Sequence, residues 1–103
     1  MVKFVLFNQY LDNGDYSHLK ETTPVGYRTD EIVSVGERIL YENGDRMMHE
    51  GWLDDSEKAK YRPVRVTDLS LYHRGWGYIN SVIVEGTIEE NLEKINNALS
   101  GGN

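Results

Sequence analysis

The sequence predicts an α+β protein, with a strongly curled antiparallel sheet of about five strands and one C-terminal helix packed on it. Three observations carry that reading. Short runs rich in β-branched and aromatic residues, such as FVLF near the start and YINSVIVE from Tyr78 to Glu85, are separated by turn chemistry. An Asn43-Gly44 pair divides RILYE from DRMM, and Asn-Gly supplies the two positive-φ positions of a type I′ hairpin. Thr87-Ile88-Glu89-Glu90 has the spacing of a capping box and opens an amphipathic segment. At 103 residues the chain suits one globular domain spanning 1–103.

Taken in order, Val2 to Phe7 is apolar apart from Lys3 and predicts a buried strand. Asp12-Asn13-Gly14-Asp15 follows as a hairpin turn. From Tyr16 to Thr29 the chain is polar, holds Pro24 and Gly26, and shows no clean period, so a loop is expected with at most a short strand near Tyr16 to Leu19. EIVSV and RILYE flank Gly36, which is expected to mark a bulge or bend. Beyond the Asn-Gly turn, alternation sends Met47 and His49 to one face and Met48 and Glu50 to the other, placing at least one methionine in the core.

The charged stretch Leu53 to Arg62 predicts a short surface helix or a solvated loop. Val64, Val66, Leu69 and Leu71 change phase, which predicts either a bulge at Thr67-Asp68 or two short strands. YINSVIVE should pair with this segment, making YHRGWGY (Tyr72 to Tyr78) a hairpin tip. In the helix, Ile88, Leu92, Ile95 and Leu99 fall on one stripe that can bury against the sheet. Glu90 and Lys94 pair on the outside, and Gly101-Gly102 ends the element.

The balance of 17 acids against 11 bases gives a formal charge of −6, so the molecule's field repels phosphate backbones and attracts basic surfaces. Direct nucleic-acid binding is therefore disfavoured. With no cysteine, disulfides, thiolate metal sites and cysteine nucleophiles are excluded. The start of the sequence lacks a signal-peptide pattern and no stretch approaches about 18 apolar residues. No membrane span is expected, and the cytoplasm is the expected compartment.

The densest constellation is YHRGWGY. A hairpin tip carrying Tyr72, His73, Arg74, Trp76 and Tyr78 offers flat apolar rings and a planar cation, the mixture enriched at energetic anchors of protein interfaces. The bland alternative is that Trp76 folds back onto the sheet and the glycines only permit the turn. Trp52 is a second exposed-ring candidate beside the tip, and Asp54, Asp55 and Glu57 are candidates for electrostatic steering or simply a solvated face.

Other chemistry is absent from the pattern. His18, His49 and His73 lie far apart and none has a second histidine at metal-ligand spacing, so no metal and no cofactor is expected. The Asp12-Asn13-Gly14-Asp15 stretch fails calcium-loop spacing. Gly75-x-Gly77 lacks its third glycine and its strand-to-helix context. The expectation is a non-enzymatic module that binds another protein with a basic surface, of the kind that phages and mobile elements encode as inhibitors; the origin rests on analogy alone. The alternatives are capture of a nucleotide-like small molecule between sheet and helix, and direct nucleic-acid binding. An aromatic tip would equally serve a two-fold homodimer contact.

Overall fold

The protein was analysed as a computed structural model, which describes residues 3–12, 17–73 and 75–100. Six strands close into a barrel, β1 (Phe4–Asp12), β2 (Ser17–Arg28), β3 (Ile32–Asn43), β4 (Arg46–His49), β5 (Arg62–His73) and β6 (Tyr78–Val84). The order around the barrel is β1-β2-β4-β3-β5-β6, every pairing is antiparallel, and one C-terminal helix is added, so the α+β class stands with one strand more than expected. The curl goes to full closure: Gln9 pairs with Val84, and the Glu85 amide donates to the Asn8 carbonyl at 2.7 Å. Closure shortens the exposed edges that an open sheet would offer to other chains, leaving part of the β2 edge without a ladder partner.

The extra strand is β2, where the sequence predicts a loop with at most a short strand near Tyr16 to Leu19; the strand runs on to Arg28. It pairs with β1 from Arg28 back to His18, and with β4 only from Ser17 to Leu19. Beyond Leu19 it therefore has a ladder neighbour along one edge only, which admits Pro24 despite its missing N–H. Long-range pairing, invisible to local pattern, decides this segment.

Two expected irregularities are also relocated. β5 runs unbroken, in regular register with both neighbours across Thr67-Asp68. Its phase change arises because both faces are buried: Val66 joins a cluster with Tyr10, Leu40, Met47 and Ile83, while Leu69 joins one with Val5, Phe7, Val84 and Ile95. Gly36 sits in regular register opposite Asp68, and the shift in β3 falls between Ile32 and Ser34 instead. The β3–β4 hairpin is present, but Asn43 pairs with Arg46, so the tight turn is Gly44-Asp45, one residue later than expected. Gly44 takes φ +63, which a residue with a side chain meets at a cost. Met47 is the buried methionine, as alternation predicts.

Between β4 and β5 lie a 3₁₀ turn (Glu50–Trp52) and the short helix α1 (Asp55–Lys58), capped reciprocally by Asp54 and Glu57. A second 3₁₀ turn (Thr29–Glu31) joins β2 to β3. The C-terminal helix α2 (Ile88–Leu99) starts at the predicted capping box, with the Thr87 hydroxyl accepting from the Glu90 amide at 3.2 Å and the Glu90 carboxylate accepting from the Thr87 amide at 3.0 Å.

The buried stripe of α2 is rotated from the predicted one. Asn91 and Ile95 are buried and Ala98 packs beside them, whereas Leu92 and Leu99 are 40% and 58% exposed. The reason is polar. Asn91 Nδ2 donates to Thr67 Oγ1 at 2.7 Å, to the Thr87 carbonyl at 3.1 Å and to the Glu85 carbonyl at 3.2 Å. The predicted outer pair acts through charge alone: the Glu90 carboxylate is held below its usual range first by its bonds to Thr87 in the cap and also by the Lys94 charge, while Lys94 Nζ lies over the Phe7 ring, 5.8 Å from its centroid. The turn residues Asn13, Gly14 and Asp15, together with Tyr16, Arg74 and Gly101-Gly102, lie outside the described residues. Among the described residues no helix is long and apolar enough to cross a membrane.

Candidate functional site

The β5–β6 hairpin forms at the predicted place. His73 pairs with Tyr78, and its carbonyl accepts from the amides of Trp76 at 3.1 Å and Gly77 at 2.7 Å, with Gly77 at φ +67. The His73 ring packs on the Tyr78 ring at a centroid distance of 4.9 Å, and its Nε2 hydrogen-bonds Asn80 Oδ1. These contacts fix the base of the turn, and the indole of Trp76 is left 80% exposed. Tyr78 is half-exposed, and Ile79 and Tyr72, opposite each other across the hairpin, are also exposed. Arg74 lies outside the described residues.

Trp52 is exposed too, at 59%, but it sits in the connection leading into Arg62 at the start of β5, whereas Trp76 follows His73 at its end. The 3₁₀ turn that carries Trp52 shares a recess with Arg38 and Ile39, which pair with Val66 and Arg65, so at about 3.3 Å per residue it stands roughly 25 Å from His73 along β5. The two indoles therefore do not make one patch. Of the acids in that connection, Asp54 accepts from Ser56 Oγ at 2.7 Å and from the Glu57 amide at 2.8 Å, and these bonds hold its carboxyl below the usual range. Asp54 and Glu57 thus cap their own helix.

A second site was hidden from the sequence. β2 lies beside β4, so His18 and His49, 31 residues apart, meet with their Nε2 atoms 3.0 Å from each other. They line an open cavity of about 710 Å3 together with Tyr10, Asp12, Ser17, Arg38, Asp68 and Ser81. Arg38 donates to Asp68 Oδ2 through Nε at 3.1 Å and Nη2 at 2.8 Å. Both contacts fall on one oxygen, and Asp68 Oδ1 is buried with no hydrogen-bond partner among the described groups. The sequence allows a short strand near Tyr16 to Leu19, but not its pairing with β4, and that pairing is what brings the two histidines together.

Burial pushes both imidazoles below the ordinary histidine value near 6.5; for His49 the neighbouring His18 adds to the shift, and for His18 the Asp12 charge opposes it. Both rings are therefore neutral at pH 7, and the short contact is a hydrogen bond in which one Nε2 carries the proton. The stability consequence has a definite sign. The unfolded histidines take up protons as the pH falls through about 6.5, the folded ones only at lower pH, so stability is lost from about pH 6.5 downward. Thermal unfolding measured between pH 8 and pH 5 should show this loss, and His49→Gln should flatten it. A slope unchanged by the substitution would mean other groups control the acid limb.

Among the described residues no three histidine or acidic side chains converge on a point where they would hold a metal ion. In the barrel cavity the Nε2 atoms of His18 and His49 are bonded to each other. No protein-family model matches the chain, and no curated protein and no solved structure is similar to it.

Proposed function

We propose that the protein is a non-enzymatic module that binds another protein through the β5–β6 hairpin, with Trp76 as the principal contact and Tyr72, Tyr78 and Ile79 around it. The observation that carries this reading is the exposure of Trp76 on a turn whose base is fixed by hydrogen bonds and ring packing. Covering an indole of that exposure yields on the order of 4 kcal/mol before the costs of association. The ionic surface supports a basic partner. Lys20, Arg28, Arg38, Arg62 and Arg65 all pair with carboxylates, so the excess of acids sets the outer field.

A module seated on a basic surface blocks that surface, so the proposed action is inhibition. The test is affinity capture from the native host with wild type and Trp76→Ala side by side: a partner retained only by wild type supports the reading. Retention by both removes the hairpin from it. Light scattering at matched concentrations separates the homodimer case, in which Trp76→Ala would convert dimer to monomer.

The cavity favours a second reading, capture of a small polar molecule. Its one cation, Arg38, faces Asp12 and Asp68 with both imidazoles neutral, so an uncharged or cationic ligand suits it better than a phosphate-bearing nucleotide. Calorimetric screening of nucleosides, saccharides, amines and nucleotides checks this. Saturable heat that Asp68→Asn abolishes would support the site, and silence across the panel would remove it.

A further inference from the structure

Resting on the reading of Trp76 as a contact residue, we propose that the slot beside it receives an arginine side chain of the partner. The slot is a recess of about 240 Å3 between the hairpin tip and the 3₁₀ turn after β2, lined by Arg28, Asp30, Glu31, His73, Gly75 and Trp76. That is below the roughly 300 Å3 at which pockets begin to hold whole small molecules, and it suits a single side chain.

The hairpin tip contributes Trp76 to the recess, and the 3₁₀ turn contributes the acids Asp30 and Glu31. Arg28 donates to both oxygens of Asp30, at 3.1 and 2.9 Å, while its Nε stands 3.9 Å from Glu31, beyond hydrogen-bond distance. The resident cation is thus committed to Asp30, and Glu31 keeps capacity to accept from a guest. A guanidinium suits ring and acid at once: its plane stacks on the indole while its N–H groups reach the carboxylate. A lysine ammonium has no plane to stack, and among the described lining residues an anion would meet the carboxylates of Asp30 and Glu31 with the Arg28 guanidinium already engaged. The chain's charge of −6 draws a basic segment towards the recess from farther away.

The probe is N-acetyl-arginine amide, followed by the indole N–H resonances of the full-length protein. Trp52 and Trp76 are the only tryptophans, so two signals are expected, assigned with Trp52→Phe. The proposal predicts that the Trp76 signal moves saturably while that of Trp52 stays. N-acetyl-lysine amide should shift it less, N-acetyl-glutamate amide should not shift it, and Glu31→Gln should weaken the arginine response about threefold with the rest of the spectrum unchanged. No movement, equal movement of both indoles, or an undiminished response in Glu31→Gln overturns it. If Trp76→Ala abolishes partner capture while the arginine probe leaves the indole unmoved, the hairpin surface stands and the slot does not.

Discussion

Asn91→Asp is expected to destabilise the protein by about 3 kcal/mol or more, measured by chemical unfolding at pH 7. Asn91 is buried, and its Nδ2 supplies the donor that ties α2 to Thr67 on β5 and to the chain around Glu85 and Thr87. The Thr67 hydroxyl cannot reverse this polarity freely, because it already donates to the Gly86 carbonyl at 2.9 Å. A carboxylate at this position would face two carbonyls and a hydroxyl oxygen with no donor. Its other oxygen would occupy the place of Asn91 Oδ1, which has no partner among the described groups. Asn91→Leu keeps the shape without the charge and should cost less, about 1 to 2 kcal/mol. A loss as small for aspartate as for leucine would show that the helix end opens to water and that the polar tie does not hold α2 in its observed rotation.

The same residue shows what the sequence conveys and what it conceals. The capping box at Thr87 is a local device, with donor and acceptor three residues apart, and it is found where spacing puts it. The rotation of α2 is not local. Leu92 looks like the buried residue by hydropathy, but the partner that fixes the face is Thr67, 24 residues from Asn91 in the chain. β5 gives a related lesson: a change of phase from Val66 to Leu69 reads as a break when one face is taken as solvent, and as a straight strand once both faces are known to be covered.

The hairpin tip was legible because its turn residues and rings lie within seven positions, Tyr72 to Tyr78. The cavity was not, because it depends on β2, a strand whose evidence is its pairing with β1 and β4. Once that strand is placed beside β4, His18 and His49 are brought to one site by register alone. Histidines at helical or strand spacing announce themselves; a pair separated by 31 residues does so only through topology.

Trp76→Ala is expected to weaken partner binding by about 2 kcal/mol or more, a roughly thirtyfold rise in Kd, and to leave stability within about 0.5 kcal/mol of wild type. The two halves of that expectation share one cause. An indole 80% exposed contributes little to the fold, so its area is free to be covered by something else. Trp52→Ala serves as the comparison, since that ring is exposed as well but lies outside the hairpin, in the 3₁₀ turn after β4. It should change binding by less than about 0.5 kcal/mol if the contact is confined to the hairpin.

Calorimetric titration of the captured partner into wild type and Trp76→Ala, with chemical unfolding of the same two samples, measures both quantities at once. The account predicts lost affinity with retained stability. Unchanged affinity, or a drop in stability large enough to explain the lost binding, would contradict it.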